Sequence, residues 1–120
     1  MSWINDLVEL FSGLLNGLKY EIRRIEFQEN TLLAPDGYSV RIKVVNSSQL
    51  CLSISEMRLW INDVECERCC EDLARMKAGE VYTFCVRFKA SNNIARSGKY
   101  QLLFMDSRGR KKSFKGCFPI

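Results

Sequence analysis

The sequence predicts an all-β, antiparallel sandwich preceded by an N-terminal amphipathic α-helix, and two periodicities predict it. From residue 20 onward apolar side chains recur at every second position in six short runs divided by turn residues, the signature of half-buried antiparallel strands. Before that point, in MSWINDLVELFSGLLNGL, the apolar period is that of a helix. Trp3, Ile4, Leu7, Val8, Leu10, Phe11, Leu14, Leu15 and Leu18 share one arc of roughly 160°. The change of period divides the chain into a helix over 1–18 and a sandwich over 19–120. The 120 residues suit one domain, and 47% hydrophobic with 27% charged residues is an ordinary globular balance.

The helix carries Ser2, Asn5, Asp6, Glu9, Ser12, Gly13, Asn16, Gly17 and Lys19 opposite its apolar stripe. Gly13 and Gly17 each weaken a helix by roughly 0.5–1 kcal/mol relative to Ala, so this one forms when its apolar face is docked. That face is covered by its own sandwich, by a second copy, by a partner or by a lipid surface. Asp6 and Glu9 on the polar side disfavour charge-driven attachment to anionic membranes. The preferred occupant is a second copy or a protein partner, with Trp3, Leu7, Phe11, Leu14 and Leu18 carrying the contact.

The strands follow as YEIRRIEF (20–27), YSVRIKVV (38–45), EMRLWIN (56–62), VYTFCVRF (81–88), KYQLLFM (99–105) and RKKSFKGCF (110–118). Turn signals separate them, among them Pro35-Asp36-Gly37, Asn62-Asp63, Ala78-Gly79 and Ser107-Arg108-Gly109. Residues 65–76 break the alternation and predict a short edge strand with a helical turn. Alternation sends Tyr38, Val40, Ile42, Val44, Met57, Leu59, Ile61, Tyr82, Phe84, Val86, Phe88, Tyr100, Leu102 and Phe104 inward. Trp60, Leu103 and Met105 fall on the outer face, where they offer a dock for the helix.

Ser97-Gly98-Lys99-Tyr100-Gln101-Leu102 resembles the tyrosine corner of immunoglobulin-like sandwiches, with Leu102 at the position where antibody domains place a cysteine. KAGEVYTF is similar to the turn and strand E of fibronectin-type sandwiches, and DSRGRKKSF resembles an F–G hairpin. The resemblance implies an immunoglobulin-like fold, whose members mostly serve as binding or structural modules.

No histidine occurs in the chain, which removes imidazole acid–base catalysis, Ser-His-Asp and Cys-His nucleophiles and the HExxH metal motif. The seven glycines form no phosphate-cradling loop. The expectation is a non-enzymatic module that needs no cofactor. Six cysteines without a basic, export-type N-terminus are expected to be reduced thiols in the cytoplasm, and Asn46-Ser47-Ser48 to be a glycosylation sequon in form only. No apolar run is long enough to predict a membrane span.

Three weaker motifs remain. Cys66, Cys69 and Cys70 have the spacing of half a zinc site, with free thiols as the favoured alternative and Cys51 and Cys85 as packing residues. Arg108, Arg110, Lys111, Lys112 and Lys115 concentrate charge around Phe114, offering an anionic-ligand surface for nucleic acid or an acidic membrane if they are more than a solvated hairpin. Cys117-Phe118-Pro119-Ile120 matches a prenylation box only formally, because Pro119 stands where an aliphatic residue is usual.

Overall fold

The computed structural model describes residues 17–29, 36–69, 75–91 and 94–120. Eight strands occupy them: β1 (Leu18–Gln28), β2 (Gly37–Asn46), β3 (Leu52–Ile61), β4 (Val64–Arg68), β5 (Arg75–Met76), β6 (Val81–Lys89), β7 (Gly98–Asp106) and β8 (Lys111–Phe118). All pairings are antiparallel, in the order β1-β2-β6-β4-β3-β7-β8, with β5 added to β3.

The helix expected over 1–18 falls almost wholly on residues outside the described ones, as do Trp3, Leu7, Phe11 and Leu14. Leu18 is a correction: it opens β1 opposite Asn46 and packs partly against the core, so it belongs to the sandwich.

β4 also departs from expectation, because it is a bridge and not an edge. Its residues 64–66 pair with β3, while Glu67 and Arg68 pair with Lys89 and Phe88 of β6. The sheet turns over at this point into two leaves, β1-β2-β6 and β3-β7-β8. Rings meet across the interior: Tyr20 stacks on Phe104 at 4.2 Å between centroids, and Tyr38 meets Phe118 edge-on at 5.7 Å. The inward set behaves as alternation demands, with Val40, Ile42, Val44, Leu59, Phe88, Leu102 and Phe104 fully buried.

Two bulges adjust the phase. Ile22 and Ile25 both face the core although they stand three positions apart, and the register slips by one between Ile22 and Arg24. In β3 the same slip lies between Ile54 and Glu56, where the Ser55 hydroxyl bonds the carbonyl oxygens of Met105 and Asp106. Each bulge lets a strand keep its apolar residues inward over a length that strict alternation would not allow.

At the tyrosine-corner segment, Tyr100 and Leu102 both face inward at the start of β7. The hydroxyl that ties strand to loop is that of Tyr38, which donates to the Ala95 carbonyl and accepts from the Ala95 N–H, both at 2.9 Å. The Tyr100 ring instead lies over Gly116, its cross-strand partner, where a Cβ would stand 2.7 Å from Cε1.

Candidate functional site

Gly17 is where the N-terminal segment meets the sandwich. Its carbonyl accepts from both the Ser47 N–H (3.2 Å) and the Ser47 hydroxyl (2.8 Å). A Cβ on Gly17 would stand 3.0 Å from Asp106 Oδ2 and 3.5 Å from Arg110 Cδ. Gly17 therefore lies against the β7–β8 hairpin, more than eighty residues away in sequence.

Asp106 builds that hairpin. Its Oδ1 accepts from the N–H groups of Arg108 (2.9 Å) and Arg110 (3.0 Å), while its backbone pairs with Arg110 and Gly109. Gly109 supplies the positive φ of 79° that the turn requires. The buried carboxylate is thus satisfied by main-chain donors, as a turn-forming Asp should be. It also raises the Tyr20 phenol, although burial is the larger cause.

Arg108, Arg110, Lys111, Lys112 and Lys115 are all exposed, but the strand divides them. Arg108 and Arg110 stand at the turn, Lys111 and Lys115 on the outer face, and Lys112 on the inner side, where its ammonium lies 5.9 Å from the Phe114 ring. Phe114 itself is half-buried against Tyr20 and Phe104, at 6.4 and 5.8 Å. It serves the core, so the basic residues gather around a ring that packs inward.

The cysteines separate similarly. Cys66 faces the core from β4, and burial pushes its thiol up, while Cys69 is exposed beyond the strand's end. Cys70 lies outside the described residues. Among those described, no three metal-ligating side chains gather. Cys51 and Cys85 are exposed and not packing residues: inward phase in β6 belongs to Phe84 and Val86, which leaves Cys85 outside. Cys51 Sγ instead accepts from Arg75 Nε at 3.1 Å. Asn46 of the formal sequon is fully buried with its carboxamide fully engaged, so its nitrogen is closed to modification. At the C-terminus, Phe118 is buried and the Ile120 N–H bonds the Ile25 carbonyl at 2.9 Å, tying the tail to β1.

A further feature lies at the opposite end of β7. Trp60, Asp63, Lys99, Gln101, Lys115 and Cys117 line an open depression of about 330 Å³ on the outer face of the β3-β7-β8 leaf. The Trp60 indole is fixed from one side: the Arg58 guanidinium sits 5.0 Å from the ring and is itself forked onto Glu65 at 2.7 and 2.9 Å. That hydrogen bond and charge hold the Glu65 carboxyl below its ordinary range. The rim is fixed too. Asn62 and Asp63 both take positive φ, 48° and 67°, in the β3–β4 turn, and Asn62 Oδ1 accepts from the Lys99 N–H at 2.9 Å. The sequence marked Trp60 as an outward apolar position and Lys115 as part of the basic run, but nothing in it placed the two on one surface.

No protein-family model matches this sequence, and no curated protein matches it either. Solved structures do. One is a Bacillus subtilis protein described as a candidate lipoprotein, ycdA, with a TM-score of 0.66 and 11% identity over 82% of this chain. This chain spans 36% of that protein's length. Another is a FixG-related protein from Vibrio parahaemolyticus, with a TM-score of 0.59 and 16% identity, covering 88% of this chain and 97% of that one. At such identities the likeness establishes the antiparallel β fold and nothing finer.

Proposed function

We propose that this chain is a non-enzymatic docking module, an immunoglobulin-like sandwich that self-associates or engages a protein partner through its amphipathic N-terminal segment. The fold reading is supported by strand order: β6 stands where strand E is expected, and β7 with β8 where the F–G hairpin is. The observation that carries the docking reading is the clamp at Gly17. Ser47 holds that carbonyl twice, so a segment whose apolar residues all share one helical face departs from a fixed point on a folded body. A tethered apolar element of this kind starts its encounter with a partner from a restricted position, which lowers the ordering cost of contact. Trp3, Leu7, Phe11 and Leu14 form the contact set, with Leu18 assigned to β1. Exposed free thiols at Cys51, Cys69, Cys85 and Cys117 support a reducing compartment, the cytoplasm.

Leu7→Asp with Phe11→Asp tests the reading by light scattering over a concentration range, beside circular dichroism. Loss of self-association or of partner capture with the strand signal intact is the expected result. Unfolding of the whole domain would instead assign the stripe to the sandwich core and overturn it.

The basic hairpin supports a second reading, binding of an anionic ligand such as nucleic acid or an acidic membrane. Its favouring observation is the Asp106-pinned turn, which fixes the backbone of Arg108 and Arg110 and sets Arg110 beside Gly17. Affinity that falls steeply with salt is its signature. Binding unchanged between low and high salt would remove it.

A further inference from the structure

The outer-face depression is preorganised beyond what a stable sandwich needs. Arg58 gives an ion pair to Glu65 and lends its plane to Trp60, so one side of the indole is held without a covering apolar layer. Register then sets what faces it. Trp60 pairs with Gln101 and Gln101 with Lys115, forming one row across β3, β7 and β8; Lys99 pairs with Cys117 in the adjoining row. Lys115 thus starts two strand spacings from Trp60, roughly 10 Å, with Gln101 between them. Both lysines are exposed but line the same depression, diagonally opposed across β7 and β8. Against these two ammonium groups the lining holds one carboxylate, Asp63.

A flat apolar surface therefore faces two cations at a fixed offset. Small-ligand sites share this composition: an apolar wall that supplies contact and a few placed polar groups that set orientation. A cationic ligand would gain from the indole but meet two like charges, and an aliphatic anion would leave the indole unused. An aromatic carboxylate uses both, its ring on Trp60 and its carboxylate between Lys99 and Lys115, with the Gln101 amide beneath. We infer that this depression is a binding site for a small aromatic carboxylate, read by Trp60, Gln101, Lys99 and Lys115.

The site's construction explains otherwise costly residues around it. Gly98 admits the Asn62 side chain where a Cβ would collide with Oδ1, and that contact fixes the Lys99 backbone at the rim. The inference is independent of the N-terminal docking reading, because none of its residues belongs to the stripe or to the hairpin turn.

The test is a nuclear magnetic resonance titration of the full chain with 2-naphthoate and, as a neutral isostere, 2-naphthamide. The Trp60 indole N–H is identified as the resonance lost in Trp60→Phe, which separates it from Trp3. Saturable shifts of that resonance and of the Gln101 amide with naphthoate are expected, with naphthamide about tenfold weaker. Lys99→Gln with Lys115→Gln should bring naphthoate down to the level of naphthamide and leave naphthamide unchanged, with the remaining spectrum reporting an intact fold. Equal binding of acid and amide would overturn the charge reading, and no saturable shift of the Trp60 resonance up to the solubility of naphthoate would overturn the site.

Discussion

Replacing Asn46 by Ala tests how the fold positions the N-terminal segment. Asn46 ends β2 with its side chain fully buried, and it serves three stretches of chain at once. Nδ2 donates to the carbonyls of Leu50 (2.8 Å) and Met76 (2.9 Å), while Oδ1 accepts from the Ser48 N–H (3.0 Å) and the Ser48 hydroxyl (2.7 Å). Its main chain pairs with Glu80 and Gly79. The next residue is Ser47, the clamp on Gly17. At a net of about 1 kcal/mol for each of the four side-chain hydrogen bonds, Asn46→Ala removes about 4 kcal/mol and takes the side-chain donor from the buried Met76 carbonyl. For a domain of this size that lowers Tm by roughly 15–25 °C. Chemical denaturation gives the free energy, and hydrogen exchange at Ser47 and Leu18 reports whether the clamp loosens with it. Asn46→Asp sharpens the test, since it keeps the acceptor for Ser48 but turns an oxygen toward two carbonyls. The introduced carboxyl is disfavoured in its charged form there, so its pKa is raised in the fold and the variant should lose stability as pH rises through the ordinary carboxyl range. A loss under about 1 kcal/mol in Asn46→Ala would refute the view that this carboxamide organises the end of the sandwich.

Two further outcomes follow from burial. Cys66 should alkylate at least about tenfold more slowly than Cys51, Cys69, Cys85 and Cys117, because it is buried and burial disfavours its thiolate; peptide mapping after brief iodoacetamide treatment reads this, and equal rates would contradict its inward placement. Burial also raises the phenols of Tyr20, Tyr38 and Tyr100 along with that thiol. These groups stay neutral in the fold while the unfolded chain ionises, so their contribution is complete below the ordinary thiol and phenol values, about 8.5 and 10, and declines above them. The denaturation midpoint should therefore fall between about pH 8 and about pH 11, and a flat midpoint would refute it.

The strands were legible where one phase runs unbroken. In β2, Tyr38, Val40, Ile42 and Val44 alternate with Ser39, Arg41 and Lys43, and a one-residue slip would expose all four, so the pattern has one solution. The bulges were written in the same letters, since Ile22 to Ile25 and Ile54 to Met57 each skip a beat. β4 is foreseen as a short strand but not as a bridge, because five residues carry too little periodicity to show their pairing and Cys66 suggests chemistry in place of phase. Cys85 invites a reading by residue type although alternation with Phe84 and Val86 already fixes its side, and Phe114 turns inward because the register pairs it with Leu102. The depression at Trp60 was beyond a linear reading. Its members come from three strands and a turn, and only the registers Trp60 to Gln101 and Gln101 to Lys115 bring them side by side.

The depression and the Gly17 clamp lie toward opposite ends of one strand. Lys99 opens β7 at the rim of the depression, and Asp106 closes it beside Gly17. Seven residues of extended chain separate them, roughly 23 Å, which is more than twice the spacing between two facing sheets. A small ligand on Trp60 therefore does not reach Gly17, the point where the N-terminal segment joins β1. Any influence of one on the other has to pass through β7, whose inward residues Tyr100, Leu102 and Phe104 are locked in the core and whose ladder is paired on both sides. Coupling between the two would need a second arrangement of this strand with a different affinity for each ligand. The proposed docking and the proposed ligand capture are thus open to separate tests, since the variants for one leave the described residues of the other unchanged.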